Sequence, residues 1–270
     1  MICEVKKPSC VSVVLCVATS RHIGDNYRVD HPEFITLQMA RFDLLRAVSD
    51  LRDVGTPGML FCGVGADTRA AGTEPVSHMA FVFLILGLHK DAASAHHFFE
   101  ARHSAAPWLR IALESWSAVL QPTRHKGEAN YLNREEPGPL FEVLAPELLP
   151  TDPFVAITTS GWNIGKGHDT KRVNRFSTGV NAVRMAMTGV DGLHSHQSFY
   201  FPRVLEYDQM TVTFWRNDDA ASAYLYGPGV HRLQMDRQRD KKFADRTSFT
   251  RCIVLRSEGS WYGRDPMSWD

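Results

Sequence analysis

Asp91-Ala92-Ala93-Ser94-Ala95 recurs as Asp219-Ala220-Ala221-Ser222-Ala223, 128 positions along the chain, and this repeat decides how the rest is read. Five small residues repeated once are weak evidence alone, so the flanks carry the argument. In the same register His103 falls on His231. Upstream, Phe81-Val82-Phe83-Leu84-Ile85-Leu86 aligns with Met210-Thr211-Val212-Thr213-Phe214-Trp215, and both runs read as strands entering a helix. Arg41-Phe42 matches Arg175-Phe176, and Gly55-x-x-Gly58-Met59 matches Gly189-x-x-Gly192-Leu193, now 134 positions apart because the loop 65–77 is longer than its counterpart. Residues 13–20 with Ile23-Gly24 correspond to 154–160 with Ile164-Gly165, and Ala118-Val119-Leu120 corresponds to Ile253-Val254-Leu255. Separate segments agreeing in one order mark an internal duplication.

Each copy reads as strand (12–19; 153–160), helix (36–53; 172–187), strand (58–64; 192–200), strand (79–88; 208–216), helix (91–104; 218–245) and strand (115–121; 249–256). That order is a ferredoxin-like unit, whose antiparallel sheet carries helices on one face and must have its other face covered. Two such sheets in one chain can cover each other. The predicted fold class is therefore α+β: internally duplicated ferredoxin-like units forming a single-chain, dimeric-type α/β barrel. The first unit is expected over 10–123 and the second over 151–266. Between them, residues 124–150, rich in Pro, Gly and Glu, form a linker with a short helix near 140–147.

With 270 residues, 44% of them hydrophobic, the chain can bury a core without staples. Its 30 basic and 30 acidic residues cancel, so no global field favours nucleic acid or an anionic membrane. The five cysteines, Cys3, Cys10, Cys16, Cys62 and Cys252, are odd in number and contain no CxxC pair. This pattern argues against a disulfide framework and a thiolate zinc site, and for a reducing cytoplasm. The apolar stretch 10–19 is β-branched and runs into charged sequence, so it reads as a strand rather than a secretory signal. The other long apolar run, 79–88, is half the length needed to cross a bilayer, and no transmembrane segment is expected.

Glu114-Ser115-Trp116-Ser117-Ala118-Val119-Leu120-Gln121-Pro122-Thr123, preceded by the helix containing Asp91 and by Gly58-Met59-Leu60-Phe61-Cys62-Gly63-Val64-Gly65, resembles the spheroidene monooxygenase family of carotenoid-modifying enzymes. The second copy resembles it through Thr213-Phe214-Trp215, Ala223-Tyr224-x-Tyr226, His231, Phe249-Thr250-Arg251 and Gly259-Ser260-Trp261-Tyr262-Gly263-Arg264-Asp265-Pro266. The matches are scattered over residues 37–266. The resemblance implies a haem-dependent oxygenase with haem b on a duplicated α+β barrel; it does not carry the carotenoid substrate with it. The Gly-x-Trp-x-Gly-x-x-Pro signature stands in the second copy, and residues 124–133 do not reproduce it after the first. A divergent member with a changed substrate is as good a reading as a carotenoid enzyme.

Under that resemblance the iron needs an axial donor, for which neutral imidazole is the common choice besides thiolate. His231, after the Gly227-Pro228-Gly229 break and before the basic stretch 232–242, is the leading metal ligand, against the plain alternative of a solvated helix histidine. His103 is the equivalent position and the alternative ligand, although its helix, with His96, His97, Glu100 and Arg102, reads as a polar face. Cys62 and Cys252 sit in apolar strand contexts suited to neutral buried thiols. Arg246, Arg251, Ser160, Trp162 and Asn163 are the candidate catalytic groups on the distal side. The run 158–165 joins the strand to the helix, where small residues let a ligand approach the backbone; ordinary turn chemistry explains them equally well. Arg172, Arg175 and Arg239 are the candidate partners of haem propionates, with Lys166, Lys171 and Arg237 behind them, although most such charges are simply solvated. On a strand, His194-Ser195-His196 would turn both imidazoles to one side, but no third metal ligand accompanies them. No dinucleotide, phosphate-loop or nucleophile-elbow motif is present.

The resulting expectation is a cytoplasmic, haem-dependent, monooxygenase-like oxidoreductase of a biosynthetic pathway, monomeric or homodimeric. It would use dioxygen or a peroxide on a hydrophobic or aromatic small molecule, with electrons from an external donor. The rivals are a haem-dependent lyase of the aldoxime dehydratase type and a haem-free barrel binding an apolar ligand.

Overall fold

Each strand that the duplication predicts is present. The computed structural model describes residues 10–19, 59–67, 80–89, 91–105, 114–128, 151–163, 170–202, 206–261 and 263–269. Its elements are β1 (Cys10–Thr19), β2 (Met59–Asp67), β3 (Ala80–His89), α1 (Ala92–Ala105), β4 (Glu114–Gly127), β5 (Phe154–Asn163), α2 (Thr170–Met187), β6 (Leu193–Pro202), β7 (Glu206–Trp215), α3 (Asp218–Tyr226), α4 (Val230–Lys241) and β8 (Arg246–Gly259). The expected helices over 36–53 and near 140–147 lie outside the described residues.

The chain divides into two compact units, one of Met1–Gln121 with Val254–Asp265, the other of Pro122–Ile253 with Pro266–Asp270. In the first, the strands run antiparallel in the order β4-β1-β3-β2, with Val13 opposite both Leu86 and Ala118, and Cys62 opposite Gly87. This is the order of a ferredoxin-like sheet. Helix α1 begins where the Asp91 carboxylate accepts the Ser94 backbone N–H at 2.8 Å, a side-chain cap on otherwise orphaned donors. It buries Ala95 and Phe99 against Val119. Residues 254–265 complete this unit: Glu258 pairs with the buried Arg102 at 2.6 Å, Arg256 pairs with Glu100, and Trp261 is 1% exposed.

The second unit repeats the order as β8-β5-β7-β6, with Ile157 opposite Val212 and Thr250. One sheet face, with Val155, Ile157, Val212, Phe214, Thr250 and Cys252, is buried throughout. The opposite face carries the helices, and Phe154, Ala156 and Trp215 pack there against Ala221 and Leu225 of α3. The helix expected over 218–245 is two helices. Pro228 has no N–H to donate, and the Gly227 N–H instead meets the Ala223 carbonyl at 3.1 Å, closing α3.

Strands β4 and β8 are both 14 residues long and outrun their expected ends. Each closes on a glycine in the left-handed region, Gly127 at φ 93° and Gly259 at φ 100°. The next N–H then reaches the carbonyl of the second residue of a 14-residue strand: Glu128 to Thr247 at 2.8 Å in one unit, Ser260 to Ser115 at 3.0 Å in the other. A Cβ on Gly127 or Gly259 would stand 2.2 or 2.1 Å from those oxygens. The duplication therefore extends to a turn that sequence similarity alone does not reach.

Candidate functional site: a recess in the second unit

The helix layer of the second unit is fastened to its sheet at two ends. At one end the Trp162 indole donates to the Phe243 carbonyl at 2.7 Å, meets Phe176 of α2 edge-on at 4.7 Å, and Arg172 of α2 pairs with Asp245. At the other, the Tyr224 hydroxyl of α3 donates to the Val183 carbonyl of α2 at 3.2 Å, while its ring lies 5.8 Å from that of Trp215. Midway, α2 and α4 close on each other at Gly179, where an added Cβ would stand 2.5 Å from the Gln234 side chain.

Between these fastenings one position of the covered sheet face reaches solvent. Thr158 shares the helix-covered face with Ala156 and Ser160, which are 1% and 8% exposed, yet Thr158 itself is exposed. A side chain in the middle of a strand flanked on both sides reaches solvent only where the layer above leaves room. None of α4 is buried, as expected for a helix held away from the sheet. Thr211, Ser198 and Phe249 lie in register with Thr158 along the floor of this recess.

His231 stands in the first turn of α4, beside the Tyr224 end. Its Nδ1–H donates to the Leu225 carbonyl at 3.2 Å, and its ring lies 5.5 Å from that of Tyr224. A carbonyl only accepts, so Nδ1 carries the hydrogen and the lone pair is on Nε2. Burial holds the imidazole below its usual pKa, partly offset by the Leu225 hydrogen bond, and burial pushes the Tyr224 phenol up to about 12. The Gly227–Gly229 break makes this geometry: it turns the chain so that the histidine caps a C-terminal carbonyl of the helix before it. His103, by contrast, lies near the end of the unbroken α1, with a buried Nδ1 that has no hydrogen-bond partner.

The other predicted site residues are spread more widely. Ser160 and Trp162 lie in β5 rather than in a loop, with the Trp162 indole engaged as described; Asn163 ends the same strand, in register with Glu206. Arg251 is buried, paired with Asp218 at the start of α3, with its guanidinium 5.1 Å from the Phe154 ring centroid. Arg246 opens β8 and is partly buried. Arg239 is exposed and paired with Asp236 at 3.0 Å, and Arg175 is exposed on α2. Cys252 is fully buried and in no disulfide. Tyr224, quoted for the family resemblance, and Thr158, Thr211 and Asp218 are not among the site residues expected from sequence. The alternation of Thr211 and Thr213 with Met210, Val212 and Phe214 is the signal for β7, and it reads only as strand.

No protein-family description and no curated protein matches the chain. Solved structures do. The aldoxime dehydratase OxdRE, crystallised with butyraldoxime, is 12% identical, with a TM-score of 0.54 over 95% of this chain and 84% of that one. Another aldoxime dehydratase is 11% identical, with a TM-score of 0.52 over 93% and 83%. An anthrone oxidase-like protein is 13% identical, with a TM-score of 0.32 over 95% of each chain. At these identities the likeness is one of fold, and the fold class is the one the duplication predicts: ferredoxin-like α+β units repeated in one chain, of the dimeric α+β barrel type.

Proposed function

We propose that the chain is a haem-dependent enzyme acting on a small apolar or aromatic molecule, and that His231 would hold the iron. The observation that carries this reading is the His231 imidazole, kept neutral by burial and fixed as the Nδ1–H tautomer by Leu225, which leaves Nε2 as the nitrogen with a lone pair. Among the described residues no three of His, Cys, Asp or Glu gather as a bare metal ion requires. One imidazole beside a recess suits an iron that brings its other ligands in a porphyrin. Arg175 would be the nearest fit to a propionate, since Arg172 and Arg239 already hold Asp245 and Asp236.

Bound haem supplies an iron that activates dioxygen or peroxide, with an external electron donor in the first case, or that acts as a Lewis acid. The chain's own part is to hold the imidazole at a fixed angle, to cover the apolar body of the substrate with Phe249 and Phe176, and to keep bulk water away. Titration of the purified protein with haem is expected to give a Soret band, altered in position or lost in His231→Ala. No band with the wild type, or an identical band in the variant, overturns the assignment. A second reading, dehydration at an oxime, is favoured by the likeness to the two aldoxime dehydratases. Nitrile formation from an aldoxime by the anaerobic, reduced, haem-loaded protein would select it over oxygenation.

A further inference from the structure

Where α3 lies on the second sheet, the covered face is Phe154, Ala156 and Trp215. Two residues beyond Ala156 on β5, and four from Trp215 on β7, it turns to a row of hydroxyls. Ser198, Thr211 and Thr158 stand directly opposed across β6, β7 and β5, and Phe249 continues the row on β8. A sheet face meant only to hold helices has no use for such a row, because each buried hydroxyl must find a partner. Ser198 is fully buried and its hydroxyl lies 2.9 Å from that of Thr211, which is only partly buried. That contact uses one of the three hydrogen-bonding directions of Thr211 and leaves the others over the recess. Thr158 is exposed, and among the described residues its hydroxyl has no hydrogen-bond partner. In the next row Gln209, 3% exposed and opposite Ser160, carries a side-chain oxygen with no hydrogen-bond partner.

We infer that the Thr158–Thr211–Ser198 row is the recognition site for the polar head of an otherwise apolar ligand, a hydroxyl or phenol-like group that both donates and accepts. The body of the ligand lies on Phe249 and toward the Trp162–Phe176 pair. This narrows the substrate class proposed above from apolar molecules in general to those with one hydrogen-bonding head, and it rests on that reading only for the reaction that follows binding. A plain hydrocarbon would strip water from two hydroxyls and return no hydrogen bond.

The test compares 2-naphthol with naphthalene, nearly equal in size and differing in the hydroxyl, by fluorescence titration of the full chain with and without haem. The wild type is expected to bind 2-naphthol roughly three- to tenfold more tightly, the return on one neutral hydrogen bond. Thr158→Val, equal in shape, should abolish most of that preference and Thr158→Ser should keep it, with circular dichroism confirming that both fold. Equal affinity in the wild type, binding of neither probe, or a preference that survives Thr158→Val combined with Thr211→Val overturns the inference. The outcomes separate from those of the haem assignment: a preference without a Soret band removes the haem and leaves the recognition site, and a Soret band without a preference does the reverse.

Discussion

Arg251 illustrates how a residue type can be legible and its role not. An arginine on a strand beside Phe249 reads as a distal hydrogen-bond donor, but its partner Asp218 lies 33 positions away, and nothing in composition or spacing announces the pairing. The guanidinium is buried between helix and sheet, over Phe154, so Asp218→Ala leaves it without its counterion. We expect a loss of roughly 2 kcal/mol by urea denaturation, between the small value of an exposed pair and the larger one of a fully buried pair. His89 gives a prediction of the opposite kind. It is 0% exposed, its Nδ1 lies 3.1 Å from the Ser94 hydroxyl, and burial lowers its pKa to about 4, against the nearby Asp91 charge. Above pH 6.5 folded and unfolded states both hold it neutral. As pH falls from 6.5 toward 4 the unfolded chain takes up the proton first, and stability declines by about 3 kcal/mol across that window. Denaturation midpoints at pH 7 and 4.5 should differ less in His89→Gln than in the wild type.

At the scale of elements, the strands are legible in the sequence to within three residues, save the far end of β4, because period-two patterns survive any tertiary context. The second helix of the second copy reads as one element over 218–245 in spite of the Gly227-Pro228-Gly229 break, since charged residues on both sides keep the helical composition. The interruption matters more than the helices. Gly227 sits where a Cβ would come within 2.2 Å of the Ala223 carbonyl, so Gly227→Ala must displace the turn that aims His231. A stability loss of about 1–2 kcal/mol is expected from the strained cap. A changed His231 imidazole chemical shift would separate a re-aimed ring from a merely weakened helix. The recess was not legible at all: Thr158 has the composition of any half-buried strand position, and its exposure depends on how far two helices elsewhere in the sequence stand off from it.

For the molecule as a whole, duplication set the architecture, and a five-residue repeat with flanking segments in the same order was enough to reveal it. What it did not reveal is that the compact units are not the sequence halves. Residues 254–265, which belong by sequence to the second copy and hold all of the Gly259–Pro266 signature but its proline, lie in the first unit, where Trp261 is buried and Glu258 neutralises Arg102. A change at residue 258 should therefore be felt in the unit that Met1–Gln121 forms with Val254–Asp265. Glu258→Ala is expected to speed amide hydrogen exchange along α1 and to leave that of α2 unchanged.

The same interleaving has a consequence for synthesis. A ribosome delivers the chain from its N-terminus, so α1 and Arg102 emerge some 150 residues before Glu258. Until then Arg102 lacks the Glu258 carboxylate and the Ser115 carbonyl lacks the Ser260 N–H. Folding of this unit is thus timed by translation of residues 254–265 rather than of residue 121, and a nascent chain stalled before Val254 should be the form most dependent on chaperones.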